Sequence, residues 1–239
     1  MYHNHVEKDY SFPWYTEENL KVNAINAAFN KWRVLLLPMP FIGWAMYLFG
    51  LPDGSHFIPI PSQKLWQNTE RIEYVKCIIS TITVLTFAAI VGYFNSYNLG
   101  KMAFYYGASW VGFSWWLTTV TYLQHHGPDT TSYKDGEWKF VDAAFETVDR
   151  KFGYGIDNLH HNITDGHVVH HLFFTKIPHY NLMIATRALQ KQLVDSKMDH
   201  LYRFDETYDF MIRIFYYFYK FGWMSHTVEK NEKTHVKSQ

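Results

Sequence analysis

Six of the fourteen histidines fall between His160 and His179. Within that stretch His167, His170 and His171 are spaced i, i+3, i+4. On a helix this spacing puts three imidazoles on one face, over a single turn. Neutral imidazole suits iron, zinc and copper, so the trio reads as a metal site. A single buried histidine is more often a hydrogen-bonded core residue. Three on one face each need a polar partner once buried, and a cation satisfies all three at once. The only cysteine, Cys77, is distant in the chain, which argues against a thiolate zinc site. No His-Glu-x-x-His protease box is present. Asn162-Ile163-Thr164 matches a glycosylation triplet, which carries no weight if the stretch faces the cytosol.

A ligand set needs elements to hold it. Residues 77–124 carry one formal charge, Lys101, which leaves uncharged runs at 77–100 and 102–124. Crossing a bilayer takes about 20 such residues. Asn95, Ser96, Asn98 and Gly100 form a polar turn between the runs. The pattern predicts a transmembrane hairpin with helices at about 77–98 and 102–124. Gly127-Pro128 ends the second helix, so His125 sits where that helix meets water. Lys64, Arg71, Lys76, Lys134 and Lys139 flank the hairpin's two ends. The cation bias therefore places both ends, and with them His125 and the trio, in the cytosol.

The rest of the chain reads around this hairpin. The fold class expected is an all-α membrane protein: one transmembrane helical hairpin, interfacial helices and a cytosolic helical cap carrying the histidines. Residues 34–52 are apolar but broken by Pro38 and Pro40, which suits an interfacial or re-entrant helix. Residues 52–62, with Pro52, Pro59, Pro61 and Gly54, read as loop. Glu137–Arg150 and Pro178–Leu193 read as helices. The aromatic run at 204–224 reads as a helix lying on the membrane, with a core helix of the soluble cap as the alternative, and the tail from Glu229 as a charged, mobile end. His3 and His5 have no local partners and read as solvated loop residues. Cys77, among apolar neighbours, reads as a small core residue. Net charge is zero, with 22 basic and 22 acidic residues, and nothing in that balance points to a nucleic-acid partner. Aromatics make up 19% of the chain, as suits membrane–water interfaces.

Several of these segments together resemble the C-terminal half of a membrane fatty acid desaturase, of the Δ12/ω-3 acyl-lipid class. The resemblance is carried by Thr121-Tyr122-Leu123-Gln124-His125, Glu137-Trp138 and Thr147-Val148-Asp149-Arg150. It continues through His161-Asn162-Ile163-Thr164-Asp165-Gly166-His167-Val168-Val169-His170-His171-Leu172-Phe173 to Ile177-Pro178-His179-Tyr180. It spans residues 1–193 as a partial desaturase domain and leaves 194–239 as an aromatic interfacial helix and tail. The resemblance implies two irons held by histidines from three boxes and one at a helix end, with O2 as co-substrate. It implies an acyl-lipid or acyl-CoA substrate and cytochrome b5 as electron donor. The implied location is multi-pass in the endoplasmic reticulum membrane, with the site facing the cytosol. Carried over by residue, His167, His170 and His171 match the third box and His125 the helix-end ligand. Asn162 and Asp165 are expected to orient the ligand rings through hydrogen bonds. His161 and His179 match family positions to which no role is assigned.

The family's first two boxes, His-x-x-x-His and an earlier His-x-x-His-His, do not occur outside 167–171. The expectation is that this chain corresponds to a fragment, an incomplete gene model or a remnant, and does not desaturate alone. Two other readings keep the residues and change the role. One is a non-catalytic membrane partner of a full-length desaturase. The other is a diiron acyl hydroxylase or conjugase.

Overall fold

The protein is described by a computed structural model, covering residues 2–6, 8–9, 27–28, 31–50, 54–127 and 130–222. The expected mobile tail from Glu229 lies outside the described residues. The architecture is mostly helical, with one short pair of strands. The chain forms two compact units, Met1–Leu37 with Val120–Gln239, and Pro38–Thr119.

The second unit holds the apolar helices. A 3-10 turn at Arg33–Leu36 precedes it, and α1 (Met39–Phe49) opens with Pro38 at its N-cap and Pro40 in its first turn. Proline is tolerated there because the first helical N–H groups have no intrahelical partner. The break expected from Pro38 and Pro40 is thus a helix start rather than a kink. After the 54–70 loop comes α2 (Arg71–Phe94), 24 residues long. Among the described residues it alone is long and apolar enough to cross a membrane. Its apolar side chains are exposed, from Ile72 and Ile79 to Phe87 and Phe94. Ser96 and Tyr97 take positive φ, and the Tyr97 N–H returns to the Gly92 carbonyl at 2.8 Å, which terminates the helix. Gly92 is needed because a Cβ there would stand 2.8 Å from the Tyr97 ring. Cys77 is half-buried rather than core, and its thiol donates to the His56 carbonyl.

The second apolar run is helical but segmented. It passes through α3 (Leu99–Met102), whose N-terminus Asn98 caps, a π-helical stretch at Ala103–Gly107, and α4 (Ala108–His125). The end of α4, from Val120 onward, enters the first unit.

In the first unit, α5 (Phe140–Phe145) is a six-residue helix, shorter than the Glu137–Arg150 helix the sequence pattern predicts. The helix stops because Val148 and Asp149 turn their backbone outward. The Val148 N–H donates to the Gln124 carbonyl at 3.0 Å and the Asp149 N–H to the Arg203 carbonyl at 3.0 Å. Strand β1 (Asp149–Lys151) follows, then α6 (Ile156–Leu159), α7 (His167–Phe173) and α8 (Leu182–Asp195). Strand β2 (Phe204–Glu206) pairs in parallel with β1, Arg150 opposite Asp205. Last comes α9 (Phe210–Phe221), within the aromatic run. Its buried face is Phe210, Ile214, Phe218 and Phe221, and Tyr122 of α4 stacks on Phe218 with centroids 4.0 Å apart. The opposite face exposes Met211, Ile212, Tyr216 and Tyr219. Each buried side chain contributes about 1.5–3 kcal/mol, so this seam fixes the end of α4 firmly.

Candidate metal centre

The histidine cluster is built by two helix termini. α4 ends on His125, and α7 begins on His167. Gln124 joins them: its amide donates to the Thr164 carbonyl at 2.7 Å and the Ile163 carbonyl at 3.1 Å. Arg150 ties the same two pieces together. Its Nε donates to the Leu123 carbonyl at 2.6 Å, and its backbone N–H to the Thr164 carbonyl at 2.8 Å. Asp149, fully buried, accepts the Val168 N–H at 2.7 Å and the Tyr202 hydroxyl. A carboxylate here satisfies an N–H group that α7 leaves without a helical partner. Gly166 lets α7 sit close to α8, since a Cβ there would lie 3.0 Å from the Asn162 carbonyl and 3.2 Å from Leu182.

The rings then converge. His167 Nε2 lies 2.9 Å from His125 Nε2 and 2.9 Å from His171 Nε2. His170 stands at the rim, its ring centroid 5.6 Å from that of His167 and 5.3 Å from that of His171. His161 and His179 form a pair of their own, centroids 4.5 Å apart. Asn162 donates to Asp165 at 3.2 Å; among the described residues neither bonds to a cluster ring, and the rings are oriented by other groups.

His3 also joins the cluster. It is buried, where the sequence pattern predicts a solvated loop residue. Its Nε2 lies 2.9 Å from His125 Nδ1, and its ring stacks on His171 at 4.1 Å. One ligand atom from each of His3, His125 and His171 lies within 4.8 Å of the others. His5 is buried too, but faces away, with Nε2 3.0 Å from Asp135. Asp9 is a near neighbour of His3 in sequence, but His125, Tyr133 and Trp138, which also place the segment, are distant, so local pattern gives little sign of its position. Gln124 and Asp149 fall within segments that resemble the family, but residue type alone does not reveal their bracing roles.

The donor chemistry fits a metal ion. His167 Nδ1 is 2.8 Å from the Ile163 carbonyl, which can only accept. Neutral His167 therefore carries its proton on Nδ1 and presents a bare lone pair at Nε2. Two further ring nitrogens press on that one lone pair. Metal–imidazole bonds of about 2.1 Å set neighbouring ligand nitrogens about 3.0 Å apart in octahedral geometry, close to the spacings found. Burial, then neighbouring imidazoles, holds His125, His167 and His171 well below the ordinary imidazole range. The rings are thus neutral at pH 7, which is the state that binds metal.

Comparison with known proteins places this arrangement. A family model described as Fatty acid desaturase matches residues 2–204. The chain is 36% identical over 232 residues to the Delta(12) fatty acid desaturase fat-2 of Caenorhabditis elegans, covering 95% of this chain and 59% of that protein. It is 35% identical over 232 residues to the Omega-3 fatty acid desaturase fat-1 of the same organism, covering 93% and 54%. It is 34% identical over 198 residues to the acyl-lipid omega-3 desaturase (cytochrome b5), endoplasmic reticulum, of Arabidopsis thaliana, covering 80% and 48%. The chain thus spans about half the length of the curated relatives it matches. No solved structure matches. The chain belongs to the fatty acid desaturase family.

Proposed function

We propose that this chain supplies part of the iron centre and membrane scaffold of an enzyme that introduces a double bond into an acyl chain. The observation that carries the reading is the crowding of His125, His167 and His171 Nε2 at 2.9 Å, with the Ile163 carbonyl fixing the proton of His167 on the far nitrogen. Four histidines are assigned as ligands: His125, His167, His170 and His171. Iron held there supplies the oxidising power, with O2, that no side chain offers towards an unactivated C–H bond. Overall, two hydrogens from adjacent carbons, with two electrons and two protons from a donor, reduce O2 to two waters.

The chain's own residues do simpler work. Gln124 and Arg150 hold the two ligand-bearing termini at a fixed separation. Asp149 braces the first turn of α7, so the ligand rings are oriented before metal arrives. Burial of His125 and His167 keeps bulk water from the ligand nitrogens. α2 and the 102–124 run form the hairpin in the lipid, with α9 lying along the interface by its exposed Tyr216 and Tyr219. An acyl chain is apolar, so it reaches a site beside the bilayer with little desolvation cost. The complete enzyme acts in the endoplasmic reticulum membrane, its site on the cytosolic side, with cytochrome b5 as donor.

The test is iron content together with lipid profiling. The purified chain reconstituted with Fe(II) under argon retains iron, and His167→Ala with His171→Ala removes it. In a host membrane the chain alone makes no new double bond, because the four assigned ligands are too few for two irons. Absence of iron from the wild-type chain, or two irons with turnover by the chain alone, overturns this reading.

A further inference from the structure

His3 lies outside the family's histidine pattern, yet its placement is exact. Its ring Nδ1 is 3.3 Å from the Asp9 carboxylate, which accepts only. In neutral His3 a proton on Nδ1 would face that carboxylate and leave Nε2 with a lone pair. This is the carboxylate–histidine arrangement that orients metal ligands. The segment is pinned on several sides. The Asn4 N–H donates to Asp9 at 2.9 Å, and the Trp138 indole N–H to the His3 carbonyl at 2.7 Å. The Tyr133 N–H donates to the Asn4 carbonyl at 2.8 Å, and the Val6 N–H to the Tyr133 carbonyl at 3.0 Å.

The geometry around His125 is that of a shared site. His125 Nδ1 faces His3 Nε2 at 2.9 Å, and the His3 and His171 rings stack with centroids 4.1 Å apart. One ring nitrogen each of His3, His125 and His171 lies within 4.8 Å of the others, a grouping of three neutral donors that could hold one ion.

We infer that His3 is a metal ligand, binding through Nε2 beside His125 Nδ1 and a nitrogen of His171, with Asp9 orienting its ring. The inference rests on the proposal that the cluster holds metal, and extends it to a residue that the family pattern does not include.

The experiment is anaerobic titration of the purified chain in detergent with Co(II), read by its visible absorption bands, with Kd and the imidazole count from X-ray absorption. Asp9→Asn is expected to weaken binding by about 10- to 100-fold, the usual effect of losing a partner that orients a ligand. His3→Ala should weaken it by more than that, remove one imidazole from the count, and shift the absorption bands. Free imidazole should restore the bands in His3→Ala, an effect that no purely structural role of His3 predicts. If His3→Ala binds Co(II) with the wild-type Kd and spectrum while His167→Ala loses binding, His3 is not a ligand and the centre stands without it. If His3→Ala loses binding and imidazole restores nothing, the effect is structural and the inference falls. If the wild-type chain binds no Co(II), the centre and the role of His3 fall together.

Discussion

Asp149 offers the most exacting test of how α7 is held. It is fully buried, and burial pushes its carboxyl up to about 6 against the hydrogen bonds from Tyr202, Val168 and His167 that pull it down. The sign follows directly. Between the unfolded value of 3.8 and about 6, the native chain holds a proton that the unfolded chain has released. Stability therefore falls as pH rises through that window, and is lower by about 3 kcal/mol once the native carboxyl ionises. Asp149→Asn abolishes this titration and keeps an amide oxygen for the Val168 N–H. The stability difference between variant and wild type should move by about 2.4 kcal/mol in the variant's favour from pH 4 to pH 7. The histidines titrate nearby in both proteins and cancel in the difference. Asp149→Ala removes the acceptor itself and should cost about 1–3 kcal/mol at pH 4, where the wild-type carboxyl is neutral. The assay is denaturant unfolding of the chelator-treated chain in detergent, followed by tryptophan emission from pH 4 to 7. A difference between Asp149→Asn and wild type that stays flat across the window refutes the argument. So does an Asp149→Ala variant as stable as wild type at pH 4.

The neutral imidazoles give a pH dependence of the opposite sense. Burial lowers His167 and His171, so the unfolded chain takes up protons first, and metal-free stability should be lost as pH falls below about 6.5. Melting curves with and without bound Co(II) check this, with metal moving the acid loss to lower pH; superimposable profiles would count against it. Gln124→Leu removes both donors to Ile163 and Thr164 and leaves two buried carbonyls without that partner. It should cost about 1–3 kcal/mol and weaken Co(II) binding about tenfold by letting the two helix ends separate. Wild-type affinity in this variant would show that the termini are held by other contacts.

Local pattern carried part of the architecture. The i, i+3, i+4 spacing fits the short helix α7, and Gly127 following His126 fits a helix that ends on His125. Such signals survive because they depend on neighbours in the chain. The failures came where distant groups decided the outcome. The Glu137–Arg150 pattern had helical periodicity, yet Glu146 is drawn to Arg203 and Tyr133, and the backbone beyond it pairs with Gln124 and Arg203. These nonlocal bonds outweigh a few tenths of a kcal/mol of local propensity per residue. His3 shows the same limit. Two histidines separated by one residue look equivalent on paper, but in the structure one meets His125 and the other Asp135. In extended backbone successive side chains project oppositely, so residues i and i+2 point alike. His3 and His5 break that rule because the turn at Asn4 takes a positive φ of 55°.

The bracing residues explain why a metal site can form at a helix end. A helix terminus normally frays, and its last carbonyls seek partners. Here the Leu123 and Gln124 carbonyls are both taken, by Arg150 Nε and the Val148 N–H. The next side chain, His125, therefore leaves a fixed backbone rather than a mobile one. α7 receives the reciprocal treatment at its start, where Asp149 takes the Val168 N–H. Val148, Asp149 and Arg150 thus serve both termini at once, and three consecutive residues set the separation between His125 and His167. A helix that spans a bilayer must satisfy its backbone internally, so this device suits the proposed placement of the centre at the membrane rim, where a helix can end, be capped by another segment and still lie beside an apolar chain.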